Sequence, residues 1–449
     1  MEIYIISFFI LLLSMWLFKV AAGNLSITRP HLISIIFYKD FVLFAFIGVL
    51  LIANSYDLEN DLYFWGITSH ISDDTRLNGW LSTMYTLCAF PIGMMITNII
   101  FTGKFSAKTK LENFYNKPFS PLISRQDSSV FISLCIFLVI STISLLYTFY
   151  IIGHIPILSL IKGANSTELA QIRANAKIHF SGITAIRDIL AINMAFFLSL
   201  VCYGYKLMYK KGKFSYLFYY SFILCFMALT YNLEKAPIFW YFMSLFAMKI
   251  IFNKGVSFKK IALVTLIILT FLFLVYVFLT GTENSGYDFL YRTFVAQSVA
   301  IFQGFEYFPT RHDFLGIHGI SNTYSSLLGG EFINSGRLLF ELYSPDSIEN
   351  NTAGFIVGLF NAEAWMLFGW AGVIFLPLYV GFFVQTLNIL FLSTNKSPLY
   401  IALYIYFWSK LSLSGSVAQF LYPLMVVTIL VIAYSIIQLS KVFVRISQG

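Results

Sequence analysis

Charge is what this sequence has least of. Only 11% of its 449 residues are Asp, Glu, Lys or Arg, where a soluble chain of this length carries roughly a quarter. That deficit excludes a water-soluble domain, and it is what a bilayer imposes, since ionisable groups are costly in hydrocarbon. Cysteine is scarce too. Cys88, Cys135, Cys202 and Cys225 all lie inside apolar runs with no CxxC spacing, which excludes a disulfide framework and leaves small core residues. No HxxxH pair or clustered carboxylates stand at metal-ligand spacing, and Arg311-His312-Asp313 is too short to form a site alone. No metal or cofactor is expected. A Gly-rich phosphate loop with its lysine is missing as well, and Gly281 and Gly329-Gly330 read as turn glycines. Residues 3–18 lack a basic leader and a small-residue cleavage site, so they read as a retained first helix.

What is abundant is apolar. The chain is 58% hydrophobic with 49 Phe and 28 Tyr, and its mean hydropathy is +0.78. A spanning helix needs about 20 mostly apolar residues. Eleven runs meet that template: 2–18, 41–56, 80–101, 129–151, 187–205, 215–231, 236–252, 261–280, 370–392, 398–414 and 420–440. The expected fold is an all-α polytopic membrane protein of about eleven helices. Residues 1–280 hold the first eight helices, 281–354 form a long loop, and 355–449 hold an interfacial helix and the last three. The formal charge of +8 then implies no nucleic acid, because basic residues in such proteins mark cytoplasmic loops.

The loops set the orientation. With the amino terminus outward, the inside loops collect 19 of the 29 basic residues, including Lys39, Lys104, Lys108, Lys110, Lys117 and Lys396. Of the 21 acids only Asp40, Glu112 and Asp127 fall inside. The positive-inside rule therefore puts the carboxyl terminus in the cytoplasm. Outside loop 57–79 is acidic. Loop 152–186 instead carries Lys162, Arg173 and Lys177, with Arg187 at its edge. Loop 281–354, the only long interval without an apolar run, carries Arg292, Arg311, His318, Arg337 and Glu341. Basic residues kept on the side that charge sorting depletes point to an anionic ligand.

Two outside segments read as helices. In 168–178, Arg173 and Lys177 are four apart and share a face. In 288–308, Arg292, Ala296, Val299, Gln303 and Glu306 follow one stripe, while Phe294, Ile301, Phe305 and Phe308 fall opposite. That pattern predicts an amphipathic helix in the interface or packed on the bundle.

From Asn351 to Leu390 the chain reads NTAGFIVGLFNAEAWMLFGWAGVIFLPLYVGFFVQTLNIL. This run, with its Asn-Ala-Glu and Phe-Gly-Trp-Ala-Gly steps, resembles the carboxyl-terminal part of Wzy-type polymerases of O-antigen and capsule repeat units. The Arg292–Gln297 pattern and the two basic outside loops are similar to the same family. The Arg-x10-Gly signature of some members is not matched: Arg173 has Thr184 at that place, and Arg292 has Gln303 with Gly304 one residue late. The resemblance implies an enzyme on the periplasmic face of the bacterial inner membrane. It would transfer a growing glycan from undecaprenyl pyrophosphate to a new lipid-linked repeat unit without metal, beside a flippase and a chain-length regulator.

Such a transfer must stabilise charge building on pyrophosphate, and guanidinium forks suit phosphate oxygens. Arg292 is the first candidate and Arg173 the second, with Arg311, Arg337 and Lys177 completing the set. A base must take the acceptor hydroxyl's proton. His318, flanked by Gly316 and Gly319, is the first candidate and Glu363 the alternative; Glu363 otherwise reads as a helix carboxylate paired with an arginine. Three rival functions remain. A metal-dependent polyprenyl-phosphate-sugar transferase would use Asp73-Asp74. An O-antigen ligase would carry a His-Asn/Ser/Gln motif, and Gly319 follows His318 instead. A flippase would place charges inside its helices, where this sequence shows almost none.

Overall fold

The computed structural model describes residues 2–54, 71–122, 127–209, 212–280, 294–343 and 354–447. In chain order the helices are α1 (Glu2–Ala22), α2 (Leu32–Ala53), α3 (Asp73–Thr102), α4 (Lys108–Asn116), α5 (Asp127–Ile152), α6 (Pro156–Ile161), α7 (Ser166–Lys177) and α8 (Ile186–Tyr209). There follow α9 (Lys213–Thr230), α10 (Lys235–Phe252), α11 (Phe258–Thr280), α12 (Ala296–Tyr307), α13 (Ser335–Tyr343), α14 (Asn361–Ser393), α15 (Pro398–Lys410), α16 (Ala418–Leu421) and α17 (Leu424–Ile446), with a short unnumbered helix, Asn322–Leu327, between α12 and α13. Among the described residues 9 helices are long and apolar enough to cross a membrane: α1, α2, α3, α5, α8, α9, α10, α14 and α17. The chain is a polytopic helical membrane protein.

Two of the eleven expected spans are not among these 9. Run 261–280 coincides with α11, 23 residues long. Run 398–414 is a helix of only 13 residues, α15. At 1.5 Å per residue that reaches about 20 Å, short of the hydrocarbon thickness. Its end continues as a non-helical stretch, Leu411–Val417. Backbone without helical bonds survives at such depth only when buried in protein or lining a polar cavity.

Helices α3 and α14 form the closest pair. A Cβ at Gly93 would run into the Leu378 carbonyl oxygen, and one at Gly381 into that of Phe90; small residues let membrane helices approach this closely. Gly369 breaks α14 with φ 57° and ψ −142°, so a short first limb, Asn361–Phe368, meets the predicted span at its start. Around this pair stand α1, α2 and α12; α5, α8, α9, α10, α15 and α17 form the second group, and α15 touches α2 between them.

A buried polar chain ties five helices together. The Leu32 amide donates to the Tyr404 hydroxyl (3.1 Å), which donates to Asn388 Oδ1 (2.7 Å). Asn388 donates to Gln385 Oε1 (3.1 Å), Gln385 to Asn98 Oδ1 (2.6 Å), and Asn98 to the Ala21 carbonyl (2.8 Å). Every donor meets an acceptor, which is the condition for polar groups in a low-dielectric interior. The lysine-bearing loops meet at this end of the bundle: the Ala107 amide bonds Ala21 O, and Lys396 Nζ bonds Tyr115 O at 3.2 Å.

His31 caps this end. It is buried, its Nε2 contacts the Asn24 carbonyl at 2.8 Å and its Nδ1 has no partner. Burial pushes the imidazole down to about 4. The folded protein thus refuses a proton that the unfolded chain takes near pH 6.5. The resulting stability is complete above pH 6.5 and declines as pH falls toward 4, by about 3 kcal/mol in all. Unfolding of the solubilised protein should show that slope, and His31→Gln, which keeps the Nε2 donor, should flatten it. An unchanged slope in the variant would assign it to other groups.

The structure corrects two expectations. Lys39 and Asp40 are not in a loop: they lie within α2, 7% and 0% exposed, paired at 3.3 Å. For 288–308 the described part takes the packed placement, and the expected polar stripe is enclosed as well. Ser298–Phe305 is buried on every side, Gln303 included at 2% exposure, because α12 is wedged against α2, α3 and α14.

Candidate functional site

The polar groups gather at the end opposite the lysine-rich loops. One cluster forms where α6 and α7 fold over the corner between α9 and α10. Asn165 caps α7 by accepting from the Glu168 amide at 2.8 Å, and the four-residue spacing then delivers Arg173 and Lys177 to one place. Arg173 Nε donates to the Asn232 carbonyl at 3.1 Å, and Lys177 Nζ pairs with Glu234 at 2.5 Å. Arg187, buried in the π-helical start of α8, grips Asp188 with Nε (2.7 Å) and Nη2 (3.0 Å). Its Nη1 donates to the carbonyls of Ala176 (3.2 Å) and Lys177 (2.8 Å). Lys410 reaches the same place from the end of α15, over the Phe196 ring at 4.9 Å and within range of the Asp188 and Glu234 charges.

A second cluster belongs to the long loop. Arg311 is exposed beside Glu306 and Tyr343, and Arg337 pairs with Glu341 at 2.8 Å. Burial alone would raise the Glu306 carboxyl; hydrogen bonds from Thr75 and Ser72, with Arg311 nearby, outweigh it and hold the group below the usual carboxylate range. His318 lies on a single 3-10 turn, Gly316–Gly319. Its Nδ1 is buried without a partner, and its ring fills the space a Cβ at Gly330 would take. Gly319 is spent on packing against Leu367, so Gly330 rather than Gly319 makes room at the imidazole. Arg292 lies outside the described residues.

The third element was not anticipated. Leu411–Val417 reads Leu-Ser-Leu-Ser-Gly-Ser-Val, and buried carboxylates hold it from two sides. Asp40 accepts from the Ser412 hydroxyl at 3.1 Å. Glu363, on the first turn of α14, accepts from the Ser335 hydroxyl at 2.8 Å and from the Val417 amide. Leu413 O takes the Phe360 amide at 2.8 Å. Ser416 is exposed and a Cβ at Gly415 would have only distant neighbours, so the segment opens to one side. Among the described residues Glu363 is not paired with an arginine; its partners are hydroxyls and amides. The π-helical turns of α2 and α8 each hold a cation next to its aspartate, Lys39-Asp40 and Arg187-Asp188. Such turns inside helices are frequent at functional sites.

Asp73 and Asp74 have a local role: they occupy the first turn of α3, capped by Ser72, where acids complement the helix dipole. Among the described residues no three His, Cys, Asp or Glu converge at metal-binding distance. The structure thus brings Arg173 and Lys177 together and leaves Arg311, Arg337 and His318 on the other group of helices. Sequence reading missed Lys39, Asp40, Asp188, Asn232, Glu234, Lys410 and Ser412. Two signals were present: a Lys-Asp pair against the start of an apolar run, and a Ser-Gly interruption between two others.

Compared with known proteins, the chain matches no family model, no curated protein and no solved structure.

Proposed function

We propose that this protein is a Wzy-type polymerase that joins undecaprenyl-pyrophosphate-linked oligosaccharide units into O-antigen or capsule-type polysaccharide. In this reading the arginine-bearing end faces the periplasm of a bacterial inner membrane, and the carboxyl terminus faces the cytoplasm. The observation that carries it is the position of Arg173, Lys177, Arg311 and Arg337. All four stand at the end of the bundle where charge sorting leaves few cations, and they fall in two separate clusters. Two substrates need two such places, one for the donor diphosphate and one for the acceptor glycan. Arg292 with Arg311 and Arg337 receives the donor diphosphate, fixed cations taking the role of a metal. His318 or Glu363 accepts the hydroxyl proton. A chain-length regulator and a flippase of the same pathway are the expected partners.

Proteoliposomes supplied with lipid-linked repeat units and a chelator should produce a glycan ladder. Arg292→Ala should abolish the ladder at normal protein levels, and Arg292→Lys should restore part of it, since the charge stays and the fork is lost. No ladder, or one that needs a divalent ion, would overturn the reading; cells lacking the protein that accumulate full-length polymer on the carrier would identify a ligase instead.

A transporter is the second reading, favoured by one observation. The Lys39–Asp40 pair lies inside a span, where ionisable residues mark substrate or proton paths. Movement of labelled lipid-linked units across the same vesicles without any ladder would establish it.

A further inference from the structure

We propose that the corner Tyr231–Glu234, with Asp188 and Lys410, is a binding pocket for the hydroxyls of a sugar, and that the α6–α7 hairpin is its lid. The inference deepens the polymerase reading and rests on it for the kind of sugar carried.

The donors and acceptors left over at the corner decide the ligand. Asn232 is 5% exposed; its Nδ2 donates to Glu234 at 3.1 Å, which fixes the orientation of the amide. Its Oδ1 is then buried with no donor. A buried acceptor without a partner costs about 1–3 kcal/mol, so a ligand that supplies a donor is favoured. Lys410 supplies the opposite need: its ammonium rests on the Phe196 ring and makes no contact ion pair among the described residues, although Asp188 and Glu234 are near. A diphosphate offers only acceptors and would meet two carboxylates. A sugar hydroxyl both donates and accepts, so it serves Asn232 and Lys410 together. The other cations each have a partner: Arg187 on Asp188 and two carbonyls, Lys177 on Glu234, and Arg173 through Nε on the Asn232 carbonyl.

The hairpin that covers this corner is attached by polar contacts. Between Pro156 and Lys177 only Pro156, Ala174 and Ala176 are buried among the residues whose side chains are described. Its fastenings are Ile157 N to Tyr231 O at 3.1 Å, Arg173 to Asn232 O, Lys177 to Glu234 and Arg187 to its carboxyl end. The Arg173 and Lys177 contacts are partly exposed and contribute about 0–1 kcal/mol each, the buried Arg187 holds only the carboxyl end, and elements with few buried apolar contacts open most readily. Gly153 sits at its base with φ 66° and open space around it, a natural hinge.

Saturation-transfer NMR on the full-length protein in nanodiscs tests this with a panel of free hexoses and N-acetylhexosamines, and with inorganic pyrophosphate as competitor. At least one sugar should bind, and pyrophosphate should not displace it. Asn232→Leu and Lys410→Met should each weaken binding about fivefold or more, the loss of one hydrogen bond. Lys177→Met, which unfastens the lid, should strengthen it, because the open state no longer has to be populated against the latch. Melting curves identify any variant that fails to fold, and the remaining variants then decide. Silence from every sugar, displacement by pyrophosphate, or wild-type binding in the folded pocket variants overturns the pocket. Tighter binding failing to appear in Lys177→Met removes the lid alone. The polymerase reading fails separately: sugar binding without a glycan ladder leaves the pocket standing, and a ladder without sugar binding sinks only the pocket.

Discussion

Replacing Asp40 by alanine is expected to destabilise the solubilised protein by about 3–5 kcal/mol, the usual consequence of stripping one partner from a buried ion pair. Asp40 is fully buried and Lys39 nearly so, 3.3 Å apart, with the ammonium 4.8 Å from the centre of the Trp240 ring. The variant leaves that ammonium in the bundle without a counter-charge, and it leaves the Ser412 hydroxyl without its acceptor. The cost arises from the orphaned charge rather than from the worth of the pair. Lys39→Met with Asp40→Leu should therefore recover most of the loss, since apolar replacements of buried pairs are often neutral. Denaturant titration of the three variants measures the cycle. An Asp40→Ala protein as stable as the parent would mean that water already reaches Lys39. Activity adds a second reading of the same cycle. A pair that only holds the Ser-Gly segment allows the double variant some function, whereas a pair that moves a proton or substrate does not.

The pattern of apolar runs carried most of the architecture. Nine expected runs overlap helices long enough to span, and Gly369 falls beside the predicted start of the 370–392 span. What escaped shares one physical cause. Hydropathy averages over a window of residues, so two charges that neutralise each other inside a bundle read as a loop at its edge. Lys39-Asp40 was assigned to a loop for that reason, and the buried chain through Asn98, Gln385 and Asn388 left no trace in the average. Residues 411–417 vanished in the same way: three serines and a glycine barely interrupt an apolar run, so α15 looked four residues longer than it is. Helix-face reasoning succeeded where the partner was local. Arg173 and Lys177 meet the 232–234 corner together, as their spacing predicts. It failed for α12, where Gln303 on the polar stripe is buried because three other helices enclose it. No sequence period announces which helices those will be. His318 shows the same limit: its room comes from Gly330, twelve residues on, not from its flanking glycines.

Glu363→Ala should have the second largest effect, about 3 kcal/mol or more. The carboxylate is 7% exposed and accepts from the Ser335 hydroxyl and the Val417 amide. Each donor left unmet in the interior costs about 1–3 kcal/mol. The damage should be local. Ser335 begins α13 and Val417 ends the non-helical stretch before α16, so both would come loose from the first turn of α14. Hydrogen exchange over 411–418 should rise well before that of α3 or α14, whose glycine-mediated contact is untouched. Glu363→Gln separates the two roles open to this residue. The amide keeps one acceptor oxygen, so a carboxylate that only holds the segment gives a protein of intermediate stability with measurable glycan transfer. A carboxylate that takes the acceptor's proton gives none, because an amide has no basic lone pair at neutral pH. Exchange over 411–418 at the parent rate together with abolished transfer in Glu363→Gln would make Glu363 the base and leave His318 without that role.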